Sequence, residues 1–140
     1  MKIHKIVIDT NVIVSALKSN RGASYKLLSL IGEERFQLCI SVPLVIEYED
    51  VLKRDTLEIP LNNINDILDY ICSVADKREI FYLWRPYLKD PKDDMVLELA
   101  VESESDFIIT YNQKDFTGIE KFGISVLSPK EFLTIIGEIK

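Results

Sequence analysis

The chain is 140 residues long, 47% hydrophobic, 29% charged and 9% aromatic, the balance of a single globular domain, expected over residues 1–140, rather than of a disordered or fibrous chain. At this length roughly two thirds of the unfolded surface can be buried, so folding needs no disulfide or structural metal. Net charge is −6 (17 basic against 23 acidic residues), which argues against holding nucleic acid by bulk phosphate neutralisation but leaves a metal-dependent nuclease open, because such a site needs carboxylates.

Two cysteines, Cys39 and Cys72, with no CxxC spacing, and one histidine, His4, exclude zinc fingers, iron–sulfur sites and most histidine-based catalysis. Five glycines spell neither GxGxxG nor a Walker loop, and GxSxG is absent. No window is apolar enough to span a membrane and the start lacks the features of a signal peptide, so a cytoplasmic location is expected.

In chain order, Lys5–Ile8 reads as a buried strand ending in Asp9-Thr10-Asn11, and Val12 to Leu17 continue as a helix. Ser19-Asn20-Arg21-Gly22 breaks it. A second helix is expected over Ala23–Ile31, with Gly32 as its C-cap. Phe36–Ile40 reads as a strand, and Ser41-Val42-Pro43 as a helix start. From Asn62 to Lys77 apolar residues recur with helical period, a face that reads by default as core, with a homodimer surface as the alternative that periodicity does not separate from it. A short strand over Glu79–Leu83, a loop marked by Arg85-Pro86 and Asp90-Pro91, and a helix over Asp93–Glu104 follow. Phe107–Thr110 and Ile124–Leu127 read as strands, and Ser128-Pro129 starts a last helix running to Gly137. Short apolar strands alternating with helices predict an α/β fold, three layers α/β/α around a mostly parallel sheet.

Ligands of such sheets bind beyond the carboxyl ends of the strands. Asp9 follows the first strand there, although a lone Asp at that position also serves as a helix cap. At 100° per residue Leu44, Tyr48, Val51 and Leu52 share one helical face and Glu49, Asp50 and Lys53 the opposite one, with Glu47 at the edge of the apolar face; a snorkelling surface glutamate fits as well. Asp94, Glu98 and Glu102 form one stripe that reads as solvated, while Asp93 projects between Leu97 and Ala100 on the apolar side and Asp90 reads as a turn residue. Two carboxylates about 4 Å apart repel by roughly 4 kcal/mol at an effective dielectric of about 20, so a cluster of Asp9, Glu47 and Asp93 needs protons or cations. All-oxygen ligation favours Mg²⁺ or Mn²⁺, and hydrolysis by an activated water is the chemistry such ions support.

The ordered set Ile6-Val7-Ile8-Asp9-Thr10-Asn11-Val12, Ser41 to Tyr48, Asp90-Pro91-Lys92-Asp93-Asp94 through Ala100, and Ile108-Ile109-Thr110-Tyr111-Asn112 with Asp115-Phe116 resembles the PIN-domain family, in particular the VapC-like toxin halves of prokaryotic toxin–antitoxin pairs. The resemblance implies a Mg²⁺- or Mn²⁺-dependent ribonuclease with Asp9, Glu47 and Asp93 as metal-binding acids and Asn11 and Thr110 as polar supports. Many members carry a fourth acid where this chain has Asn112; Asp115 from the next turn can supply the missing charge, and one-metal operation or reduced activity follows if it does not. Lys18, Arg21, Lys26, Lys92 and Lys114 are candidate contacts to an RNA backbone, and Tyr111 and Phe116 candidate stacking partners, with Phe116 fitting the core better. A toxin role implies an antitoxin partner whose basic residues pair with the carboxylates. The haloacid-dehalogenase phosphatase pattern fails because Asn11 stands where it needs a second Asp. A non-cleaving module that binds an antitoxin or RNA is the remaining alternative.

Overall fold

The computed structural model describes residues 3–80, 87–88 and 90–139. Among them five strands, β1 Lys5–Ile8, β2 Gln37–Ile40, β3 Asp76–Lys77, β4 Phe107–Ile109 and β5 Ser125–Leu127, form one sheet in the order β3-β2-β1-β4-β5. Every neighbouring pair is parallel. Six α-helices accompany them: α1 Thr10–Lys18, α2 Ala23–Ser29, α3 Val42–Leu52, α4 Leu61–Val74, α5 Pro91–Glu102 and α6 Pro129–Ile135.

Ile6, Val7 and Ile8 of β1 are all fully buried. Successive strand side chains point to opposite faces, so both faces of the sheet are covered and the expected three layers are present. Burial of each such side chain contributes about 1.5–3 kcal/mol, which is why a four-residue strand holds the centre of the sheet. Helix α5 lies across one face, touching β1, β2 and β4. No helix among the described residues is long and apolar enough to cross a membrane.

The starts of the helices follow their capping residues. Ser41 Oγ accepts from Leu44 N at 3.3 Å, Asp90 accepts from Lys92 N at 3.0 Å, and Ser128 with Glu131 closes a capping box. The apolar face of α4 is turned inward through Ile64, Leu68 and Ile71.

Three expectations are corrected. Helix α2 ends at Ser29 with Leu30 as its C-cap, not Gly32. Gly32 instead turns the chain at φ +85°, where a Cβ would meet the Tyr70 hydroxyl at 2.5 Å, the group that donates to Ile31 O. Helix α4 stops at Val74, and Asp76–Lys77, read as its end, forms the edge strand β3. Glu79 and Ile80 are not in a strand, and positions 81–83 of that expected strand, with Arg85-Pro86, lie outside the described residues.

Candidate active site

Because all strands run the same way, their carboxyl ends share one edge, where Asp9 follows β1, Ser41 follows β2, and Thr110 follows β4. Asp9 is both cap and candidate ligand: Oδ1 accepts from Thr10 N at 2.8 Å and Oδ2 from the Thr110 hydroxyl at 2.8 Å. Thr110 Oγ1 in turn accepts from Asn11 Nδ2 at 3.2 Å and from Asn112 N at 3.0 Å. With both lone-pair directions taken, its only hydrogen goes to Asp9. Tyr111 N donates to Asn11 Oδ1 at 3.2 Å, tying the turn after β4 to α1. The buried Tyr48 hydroxyl donates to Ile8 O, which fixes α3 against the end of β1 and brings its neighbour Glu47 to the same edge.

A cavity of about 370 Å³ opens there, lined by Asp9, Glu47, Asp90, Asp93 and Asp115 together with Thr10, Asn11 and Asn112. Thr110 stands behind it, fully buried. Burial, and then the charges of Asp9, Asp115, Asp90 and Asp94, push the Asp93 carboxyl up to about 7. Burial also raises Asp9, against the lowering pull of the Thr110 and Thr10 hydrogen bonds. Glu47 is raised by burial and held back by Lys92, whose Nζ lies 3.9 Å from Oε1.

Two cations enter this acidic lining, Lys92 and Arg54. Arg54 is not among the residues expected at the site, because it follows the C-cap Lys53 of α3, where helical spacing no longer places a side chain. Lys114 lines an adjoining cavity with Asp90, Asp93 and Asp115. Lys18 donates to the carbonyl of Leu57, itself a lining residue. Arg21 and Lys26 are not part of this lining and line a separate cavity. Tyr111 is exposed, but Phe116 is core and unavailable for stacking.

The solvated stripe expected on α5 is also corrected. Asp94 and Glu98 are buried, and the Asp94 carboxylate accepts from the backbone N–H of Leu88 at 2.7 Å and of Tyr87 at 3.3 Å. It braces the chain ahead of the helix, leaving Asp93 to the cavity and Asp90 to the cap. The turn role expected for Asp90 is thus present, with a place in the lining added.

Among the described residues no group of three His, Cys, Asp or Glu side chains is disposed to hold a metal ion. The donor chemistry nonetheless fits a hard divalent cation, since everything ionisable in the cavity with a lone pair to give is oxygen. Thr10 Oγ1, buried in the same lining, has no hydrogen-bond partner among the described residues, and an oxygen so placed suits a hard ion or its hydration shell. The Glu47–Lys92 pair, with Lys92 half exposed, contributes about 1 kcal/mol at most, too little to withhold Glu47 from a divalent ion.

The family profile described as PIN domain matches residues 5–114. An uncharacterized protein of Methanocaldococcus jannaschii is 28% identical over 138 residues, covering 92% of this chain and 89% of its own. A chain in the crystal structure of VapBC2 from Rickettsia felis, bound to a DNA fragment from their promoter, is similar in fold at a TM-score of 0.60 and 17% identity, covering 87% of this chain and 98% of its own.

Proposed function

The chain belongs to the PIN-domain family, and from that premise we propose that it hydrolyses RNA phosphodiester bonds with Mg²⁺ or Mn²⁺ held by Asp9, Glu47 and Asp93. The observation that carries this reading is the meeting of acids at the end of β1 and on α3 and α5 in one cavity, where Asp93 is pushed up to about 7. A carboxyl so raised is waiting for positive charge. When bound, the ion supplies that charge and lowers the pKa of the attacking water.

The residues of the chain do the rest. Asp9 is held in one orientation by Thr110 and by Thr10 N, so its outward lone pairs are preorganised for the ion. Asp93, whose carboxyl is pushed up to about 7, would hold the cation in its ionised form. Lys92 and Arg54, the cations of the lining, would receive the phosphates of the strand, and Lys92, now 3.9 Å from Glu47 Oε1, would be available for this if Glu47 held the ion. Asn112 offers a neutral oxygen where an acid is usual in the family, and Asp115 restores the charge from the next turn.

In this reading the protein is the toxin of a toxin–antitoxin pair, blocked when basic side chains of an antitoxin enter the acidic cavity. A second reading, a module that binds RNA or an antitoxin without cleaving, is favoured by Asn112 and by the absence of a ready three-acid arrangement among the described residues. Incubation of the pure protein with single-stranded RNA and Mn²⁺ or Mg²⁺ separates them. Cleavage abolished by EDTA and reduced at least about 100-fold in Asp9→Asn supports the nuclease. EDTA-resistant cleavage, or full activity in Asp9→Asn, rejects the assignment, and metal binding without cleavage favours the second reading.

A further inference from the structure

We propose that single-stranded RNA passing out of the acidic cavity lies in a basic groove formed by Arg21, Tyr25, Lys26 and Lys130, which holds the nucleotides flanking the cleaved bond. The inference rests on the ribonuclease reading above and adds a second, non-catalytic binding site to it.

The groove encloses about 370 Å³ over an apolar floor of Leu133 and Ile139, and among the described residues no carboxylate lines it. That is notable in a chain with 23 acidic and 17 basic residues. Among the described residues neither Arg21 nor Lys130 is paired with an acid, while Lys26 lies 3.8 Å from Glu138, a carboxylate also engaged by Arg35. Two full positive charges and part of a third are therefore unspent on one surface. Between them Tyr25 leaves 47% of its surface exposed, an aromatic face for a base to stack on. Cations interleaved with an exposed ring match a single strand, whose phosphates and unpaired bases alternate; an acidic protein segment would use the charges and leave the ring idle.

Two contacts set the groove beside the acidic cavity. Tyr111, 48% exposed, reaches both: its N–H donates to Asn11, which lines the acidic cavity, and its hydroxyl pairs with Ser24, next in the chain to Tyr25. Gln113, directly after the cavity residue Asn112, donates to Glu131 at 2.7 Å, and Glu131 follows Lys130 on α6. These bonds tie α2 and α6, which carry the groove, to the turn after β4 that borders the acidic cavity.

Fluorescence anisotropy with a labelled oligouridylate of about ten nucleotides, in Ca²⁺ to fill the acidic cavity without turnover, reads the groove directly. The Arg21→Ala/Lys130→Ala variant is expected to bind about tenfold more weakly, and its slope of log affinity against log salt to fall by about 1.4. Tyr25→Ala is expected to weaken binding about fivefold or more, and Tyr25→Phe, which keeps the ring, to restore it. Wild-type affinity and salt slope in the double variant, with an unchanged circular dichroism spectrum, overturn the groove while Mn²⁺-dependent cleavage by the wild type leaves the ribonuclease reading standing. Loss of affinity for an oligoglutamate peptide but not for RNA assigns the groove to an acidic protein segment and overturns it too. A wild type that neither binds nor cleaves the RNA removes both readings.

Discussion

The Thr110 hydroxyl has a single hydrogen, and its other contacts leave that hydrogen nowhere to go but Asp9. Thr110→Val keeps the shape of the side chain and removes the donor, so Asp9 loses the contact that orients it. The expected result is a 10–100-fold loss of Mn²⁺ affinity by titration calorimetry, largely recovered in Thr110→Ser. Asp93 makes a different kind of prediction. Its carboxyl lies at about 7 in the folded protein against an ordinary 3.8, so the folded state keeps a proton that the unfolded chain has released. For the metal-free protein the associated stability is complete below about pH 4 and is lost as pH rises through about 7. Asp9 and Glu47, also raised, act with the same sign. Urea unfolding in EDTA should therefore show a lower midpoint at about pH 8 than at about pH 5, with a flatter profile in Asp93→Asn. A midpoint that rises over that interval would contradict the burial assigned to Asp93.

At the scale of the element, α5 shows what a helical projection can and cannot separate. Its carboxylates do fall on different faces, and of these Asp93 is the one that lines the cavity. The stripe of Asp94, Glu98 and Glu102, however, looks the same whether it meets water or backbone. Here Asp94 meets the N–H groups of Tyr87 and Leu88, from a stretch whose return over the helix no local pattern announces. Asp94→Ala leaves those donors without their acceptor and is expected to cost about 2 kcal/mol in chemical denaturation, Asp94→Asn less because one carbonyl oxygen remains. Legibility elsewhere follows the same physics. The apolar strands β1, β2, β4 and β5 and the serine caps of α3 and α6 carry their signals within a few residues, and so are readable. The edge strand β3 is Asp76–Lys77, two polar residues held by pairing with Cys39 and Ile40, and nothing in its composition marks a strand. Arg54 lies beyond the last turn of α3, where periodicity ceases to be a guide. Glu47, at the edge of an apolar face, was readable only as one of two alternatives until Tyr48 fixed that face against Ile8.

For the whole molecule the net charge of −6 is less informative than its distribution. Five acids meet at the carboxyl edge of the sheet, while Arg21, Lys26 and Lys130 gather in a separate groove. A fold that concentrates like charge in this way remains under strain until a counter-charge arrives, so ligand binding and global stability are coupled. Mn²⁺ at about 100 times its dissociation constant should stabilise the folded state by about 2.7 kcal/mol, raising Tm by about 8 °C for a chain of this size. The shift should depend on pH with a definite sign. Where Asp93 still holds its proton, the ion must displace it, and part of the binding energy is consumed. Where Asp93 is already ionised, the ion meets uncompensated charge and gains the full attraction. The Mn²⁺-induced rise in Tm is therefore expected to be larger at about pH 8 than at about pH 5, to vanish with EDTA, and to lose most of its pH dependence in Asp93→Asn. Equal shifts at both pH values in the wild type would mean that Asp93 is not the group exchanging a proton for the ion, and would move the metal toward Asp9 and Glu47 alone.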